Sequence, residues 1–243
     1  MVRVISRLDI KGGNLIKGIH LEGLRVIGNP VDYAELYYNQ NADELIYMDS
    51  VASLYEREYI VDLIKKTAER IFIPITVSGG IKTVQDVEAI LRSGADKVSI
   101  NTAAVKNPSL IKEVSDNFGS QCMVLQIDAK KTNLGYEVYI DGGREKTGID
   151  VLEWAKRGID LGCGEIMLTS IDQDGTKKGF DTDLLEKMSV IVDIPLIASG
   201  GMGKLSHLDP LIEKNLADGI AIGTAFHYKL CTPIDVKKHI GYC

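Results

Sequence analysis

The stretches VSGGI at Val77 to Ile81 and ASGGM at Ala198 to Met202 are two copies of one segment, 121 positions apart (198 − 77 = 121). A second pair follows each copy. GADKVSINTA ends at Ala103 and LADGIAIGTA ends at Ala225, 122 positions apart (225 − 103 = 122). Upstream, ADELIYMDS resembles CGEIMLTS, with Glu44 matching Glu165, and the strand-ending Asp9 matches the strand-ending Asp128. These landmarks keep one order and nearly one offset, about half of the 243 residues, so two similar halves compose one structure.

Each half reads strand, helix, strand, helix. Short apolar runs rich in β-branched residues predict strands at Val2 to Leu8, Leu45 to Met48, Ile75 to Val77, Val98 to Ile100, Met123 to Ile127, Ile166 to Leu168, Pro195 to Ala198 and Ile220 to Ile222. Helical spacing lies between them at Val31 to Gln40, Glu56 to Arg70, Val84 to Arg92, Pro108 to Asn117, Asp150 to Asp160, Asp181 to Val190 and Ser206 to Lys214. Strands alternating with helices pair in parallel. Eight such units in this length match the closed (β/α)8 barrel, the TIM barrel, built from two half-barrels and spanning residues 1–243 as one domain. An open doubly wound sheet is the runner-up.

Composition sets outer limits. Hydrophobic residues at 45% and charged residues at 26% are globular values and disfavour disorder or a coiled-coil rod. No apolar run approaches the ~20 residues of a membrane helix. The opening MVRVISRLDIKGG reads as a charged strand and not a signal peptide, so a cytoplasmic protein without membrane partners is expected. A net charge of −6 argues against a nucleic-acid partner. Cys122, Cys163, Cys231 and Cys243 are scattered without a C-x-x-C pair and read as reduced packing residues. His20, His207, His227 and His239 are equally dispersed, so no metal site and no cofactor is expected, and the lone Trp154 reads as core.

In this fold the residues just after the strands form one mouth where active sites lie. That places Asp9, Asp49, Ser78, Gly79, Gly80, Asn101, Thr102, Asp128, Thr169, Ser170, Ser199, Gly200, Gly201, Gly223 and Thr224 on one face. Ser-Gly-Gly followed by Asn-Thr or Gly-Thr is suited to an anion: glycine allows close approach, exposed N–H groups donate, and the hydroxyl adds a donor. Two copies imply two phosphate sites and an elongated substrate phosphorylated at both ends. Asp9 and Asp128 end the first and fifth strands, across the barrel from each other. Facing carboxyls between two anchors suit general acid and base roles, one protonated and one ionised. The loop from Ile10 to Pro30 is long and rich in glycine, which predicts a mobile lid carrying Lys17 to a phosphate. Asp174 and Thr176, in the loop after the sixth strand, are expected to add polar contacts.

RLDIKGG, DELIYMDSVAS, SGGI, GADKVSINTAAVKNP, GSQCMVLQIDAKK, GGREKTGID, GEIMLTSIDQDGTKKGFD, IASGGMGK and GTAFH together resemble the cyclase subunit family of imidazole glycerol phosphate synthase over nearly the whole chain. The resemblance implies a glutaminase partner in a heterodimer, ammonia crossing the barrel interior, and a bisphosphorylated ribulosyl aminoimidazole carboxamide ribotide as substrate. It implies that Asp9 and Asp128 are the acid/base pair, Lys17 the lid lysine, and Asn101, Thr102, Gly200, Gly201, Gly223 and Thr224 phosphate ligands. It further implies that Arg3, Glu44, Lys97 and Glu165, at strand starts on the opposite face, form a charged gate for ammonia.

The chain departs from the family pattern near the substrate and the channel. Ser6-Arg7 stands where Pro-Cys is usual, Gln126 where a small residue is usual, and Ser78 where a third glycine is usual. Gly12, Asn14 and Gln173 replace Asp, Arg and Arg. Arg7 and Gln126 each precede a catalytic aspartate by two residues, and strand alternation points both into the barrel. Arg7 is therefore expected to be buried and hydrogen-bonded, with Asp49, Gln126 or Asp128 as partner. The departures keep open a paralogous barrel that passes ammonia to another acceptor, such as a sugar in surface-polysaccharide amidation.

Overall fold

A computed structural model describes residues 2–49 and 57–241. Among the described residues there are twelve strands: β1 (Arg3–Lys11), β2 (Asn14–Ile19), β3 (Glu22–Gly28), β4 (Glu44–Asp49), β5 (Ile75–Ser78), β6 (Lys97–Ile100), β7 (Met123–Thr132), β8 (Gly135–Ile140), β9 (Glu145–Asp150), β10 (Glu165–Ser170), β11 (Leu196–Ser199) and β12 (Gly219–Ile222). The helices are α1 (Pro30–Asn39), α2 (Arg57–Ala68), α3 (Val84–Arg92), α4 (Thr102–Lys106), α5 (Ser109–Phe118), α6 (Val151–Asp160), α7 (Thr182–Ile191), α8 (Asp209–Glu213), α9 (Thr224–His227) and α10 (Pro233–His239). The start expected for the second helix at Glu56, the SVAS of the second strand-end motif from Ser50 onward, and Cys243 lie outside the described residues.

Eight of the strands close into a parallel barrel in the order β1-β4-β5-β6-β7-β10-β11-β12, with β12 returning to β1 and β10 pairing β7. The TIM barrel read from the repeat is thus the observed fold. β1 and β7 stand four places apart in the ring of eight, so Asp9 and Asp128 end opposite strands. Outward-facing side chains such as Val4, Leu8, Leu45, Val98, Leu125, Ile166 and Ile220 pack under the helices in one large core with Trp154, which is 1% exposed. Burying each such aliphatic side chain contributes about 1.5–3 kcal/mol.

Local sequence fixes the helix starts. Asn29 caps α1 by accepting from the Val31 amide at 2.9 Å, and Asp150 caps α6 by accepting from Leu152 at 2.8 Å. Thr83 with Asp86, and Thr232 with Asp235, form reciprocal capping boxes at α3 and α10. The α10 box, with Pro233 in the first turn, was a legible signal for an eighth outer helix that the apolar periodicity of the short segment did not reveal.

Two expectations need correction, and one hairpin was not foreseen. The connection after β1 is not an irregular loop: β2 pairs antiparallel with β1 and β3, a hairpin that buries Leu15 and Ile16. A second hairpin, β8 with β9, extends β7, and its alternating buried Tyr136, Val138 and Ile140 follow the period of two. The helix expected over Ser206 to Lys214 is a 3-10 turn (Leu205–His207) followed by α8. Pro210 explains the break, because without an N–H it fits only the first turn of a helix.

Candidate active site

The strand period of two sends odd residues of β1 inward, so Arg3, Ile5, Arg7 and Asp9 mark four successive levels of the barrel interior. At the lowest level Arg3 donates to Glu44 at 2.5 Å and to Glu165, and Lys97 donates to Glu44 at 3.3 Å and Glu165 at 2.9 Å. The four charges alternate in sign and close a ring. Above it Ile5, Ile46, Val124, Met167, Ile197 and Ala221 form an apolar layer.

The third level is polar. Arg7 is 2% exposed, as expected, but its partners are others than those foreseen. Its Nε donates to Asp9 Oδ1 at 2.9 Å, and its Nη1 donates to Ser199 Oγ at 2.9 Å and Thr169 Oγ1 at 3.4 Å. A guanidinium two residues below a carboxylate on one strand face reaches its own neighbour more directly than it spans the barrel. Gln126 Nε2 donates to Asp128 Oδ1 at 3.0 Å, and Gln126 Oε1 accepts from Ser78 Oγ at 2.6 Å.

The two aspartates, both buried, therefore meet different surroundings. Asp9 Oδ2 accepts from Lys17 Nζ at 2.6 Å, so each of its oxygens faces a cation. Burial alone would raise its pKa, but Arg7 and Lys17 outweigh it and hold the carboxyl well below the usual range. Asp128 Oδ2 accepts from Asn101 Nδ2 at 2.9 Å, so both of its partners are neutral amides. There burial prevails over the hydrogen bonds from Gln126 and Asn101 and the pull of Arg7, and the carboxyl is raised.

Lys17 lies 2% exposed and also donates to Asp174 at 3.4 Å. The hairpin that carries it is tied down where the His20 amide donates to the Asp174 carbonyl at 2.9 Å. Arg7, Lys17, Asp174, Ser199, Gly200, Gly201, Gly223 and Thr224 line one pocket, bringing together most residues assigned to the second anion site. Gly200 and Gly201 have φ of 97° and 107°, and a Cβ on Gly201 would collide with the Gly179 carbonyl oxygen, so the neighbouring loop's backbone itself demands glycine there.

In the first half, Ser78, Gly79 and Gly80 follow β5, and Ser78 is spoken for by Gln126. Asn101 was expected to face a phosphate, yet its amide is divided between Asp128 and the Tyr139 carbonyl at 3.0 Å. Thr102 Oγ1 accepts from the Asp141 amide at 3.0 Å in the turn after β8, and Thr176 Oγ1 donates to the Gln173 carbonyl at 2.8 Å within its own loop. The strand-period reading had no signal for Thr169 as an Arg7 partner, or for buried His227, whose Nδ1 lies 2.7 Å from Tyr37 Oη. Cys163 and Cys231 are buried free thiols, and Cys122 is a half-buried one. Among the described residues no His, Cys, Asp and Glu cluster is arranged to hold a metal, and no helix is long and apolar enough to cross a membrane.

The chain is 63% identical to a Legionella pneumophila protein named imidazole glycerol phosphate synthase subunit HisF, over 86% of this chain and 99% of that one. Proteins of the same name from Methanococcus maripaludis and Streptococcus mutans are 48% and 46% identical, covering 98% and 97% of this chain and 95% and 94% of theirs. Each of these proteins is named as a subunit, one part of a larger enzyme. The family model described as histidine biosynthesis protein matches residues 3–232. With the barrel, its duplicated halves and this agreement along nearly its full length, the chain belongs to the histidine biosynthesis protein family.

Proposed function

We propose that this barrel is the cyclase subunit of an imidazole glycerol phosphate synthase. It uses ammonia to convert a bisphosphorylated ribulosyl aminoimidazole carboxamide ribotide into imidazole glycerol phosphate and an aminoimidazole carboxamide ribotide. The observation that carries the reading is the pair of carboxyls on opposite strands, Asp9 among cations and Asp128 among amides, between two duplicated Ser-Gly-Gly turns. Two groups pushed apart in acidity are the arrangement that acid/base chemistry at neutral pH requires.

The substrate's phosphates lie at Ser78 to Gly80 with Thr102 and at Gly200 to Gly201 with Gly223 and Thr224, where Lys17 stands ready as a cation. Lys17 is already held between Asp9 and Asp174, so an arriving phosphate competes with Asp174 for it. A separate glutaminase docks on the face bearing Arg3, Glu44, Lys97 and Glu165, forming a heterodimer. Ammonia enters when that ring of ion pairs opens and passes the apolar layer around Ile46 and Met167 toward the aspartates.

The test is an assay of the purified chain with ammonium salt and the ribulosyl ribotide, read by loss of the substrate's absorbance. Steady turnover without any glutaminase is expected. Absence of turnover at saturating ammonia would overturn the reading and direct attention to another ammonia acceptor.

A further inference from the structure

The two halves of the barrel build the same hydrogen-bonded bridge with different chemistry. In the second half, Gln126 links Ser78 Oγ at 2.6 Å to Asp128 Oδ1 at 3.0 Å. In the first, Arg7 links Ser199 Oγ at 2.9 Å to Asp9 Oδ1 at 2.9 Å. Arg7 and Gln126 occupy equivalent positions two residues before their aspartates, and Ser78 and Ser199 open the two Ser-Gly-Gly turns. Each bridge therefore ties the serine of one turn to a carboxyl, and the two differ chiefly in charge. The remaining oxygens repeat the contrast: Lys17 serves Asp9, and Asn101 serves Asp128.

We propose that Arg7 and Gln126 are positioning residues that assign unequal work to the two aspartates: Asp9 remains an anion throughout turnover, and Asp128 alone exchanges a proton. Asp9 has no oxygen free of a cationic donor, and protonating either one would set a carboxyl proton against Arg7 or Lys17. Asp128 accepts from side-chain amides, and Gln126 can turn over to offer Oε1 to a protonated Asp128 while its Nε2 meets Ser78 Oγ. A guanidinium has no acceptor to offer. Asp9 thus works as a fixed negative charge that orients Lys17, and Asp128 gives up its proton in one step and regains it in another.

Charged and titratable groups face the pair from several elements. Asp9 faces Arg7 on its own strand, Lys17 from β2, and the charge of Asp174 that Lys17 shares. His227 of α9 also feels Asp9, Lys17 and Arg7, and Asp128 feels Arg7 and Asp174. Arg7 acts on both carboxyls.

The inference rests on the acid/base reading above, so the test separates the two. Carbon-13 label in the aspartate carboxyls, assigned with Asp9→Asn and Asp128→Asn, reports each titration in the ligand-free protein without turnover. In the wild type, Asp9 is expected to show no titration across the range in which Asp128 titrates. Arg7→Gln should bring an Asp9 titration upward by about 1–3 pH units, and Gln126→Arg should drive that of Asp128 downward by a similar amount. Arg7→Lys, which keeps the charge, should retain the Asp9 behaviour.

Turnover with ammonium salt, at constant free ammonia, should show one carboxyl limb in the wild type, displaced to lower pH in Gln126→Arg. Coincident titration of both aspartates, or an Asp9 unmoved by Arg7→Gln, would overturn the assignment. Should Arg7→Gln not fold, an Asp128 unmoved in Gln126→Arg overturns it by itself. Titrations as expected with no turnover on the ribotide would instead defeat the acid/base reading and leave the unequal carboxyls standing.

Discussion

Asp9→Asn and Asp128→Asn make the same chemical change at equivalent places in the two half-barrels, yet they should differ sharply in stability. An asparagine at position 9 removes a buried negative charge from between Arg7 and Lys17, leaving Asp174 as the acid still bonded to Lys17, at 3.4 Å. One buried positive charge is then uncompensated, which costs about 3–5 kcal/mol. An asparagine at position 128 places its amide opposite Gln126 and Asn101, and a flip of Gln126 restores the pairing at a cost of about 1 kcal/mol or less. Ionised Asp128 is itself disfavoured by burial, so a neutral isostere also relieves that strain at neutral pH. For a chain of this length each kcal/mol moves Tm by about 2–4 °C. Asp9→Asn should therefore melt roughly 6–20 °C below wild type, and Asp128→Asn at or near the wild-type Tm, in calorimetry at pH 7.5. Asp128→Asn should lose about 10²- to 10⁴-fold in ammonium-dependent turnover, the span of a lost proton transfer, and Asp9→Asn should lose turnover through release of Lys17. Equal melting of the two variants would refute the contrast between a cationic and an amide environment, whatever their activities.

Reversing Lys97 to Glu adds a third acid to a ring balanced by Arg3 alone. It should uncouple glutamine hydrolysis by a glutaminase partner from product formation while ammonium-dependent turnover persists; unchanged coupling would reject the gate. Crystals grown in phosphate should hold an anion beside Gly200, Gly201 and Thr224, because Lys17 and backbone donors converge there, and an empty pocket at high phosphate would count against a phosphate site. Burial, opposed in part by Asp9, lowers the pKa of His227 to about 4 from 6.5. A lowered value means the unfolded chain takes up the proton first, so stability present above pH 6.5 is lost as pH falls toward 4, by about 3 kcal/mol. His227→Gln should flatten this dependence in urea unfolding between pH 7 and 4.5, and a slope equal to that of wild type would exclude His227 as its source.

How much was legible in the chain follows from the range over which each signal acts. The duplicated Ser-Gly-Gly turns and the period-two apolar runs are local, and a repeat of half the chain length leaves a closed barrel of eight parallel strands as the economical way to bury them. That reasoning placed Asp9 opposite Asp128, pointed Arg7 and Gln126 inward by strand alternation, and gathered Gly200, Gly201, Gly223 and Thr224 at one end of the mouth. The hairpin of β2 and β3 was missed because its glycines and polar residues read as a loop. Its pairing energy comes from β1, a neighbour that exists only once the barrel forms.

Partners were decided by the tertiary structure. Alternation says that Arg7 is inside, but whether its guanidinium meets Asp9, Gln126 or Asp128 depends on side-chain reach and on the position of Ser199, 192 residues away along the chain. Likewise no spacing shows that the Asn101 amide turns to Asp128, or that the Thr102 hydroxyl accepts from the Asp141 amide. Residue types and their periodicity are written in the sequence, and they determined the barrel and the roster of its mouth. The acidity of each aspartate depends on charges and hydrogen bonds within a few ångströms, and those neighbours are set by the closure of eight strands around a common axis.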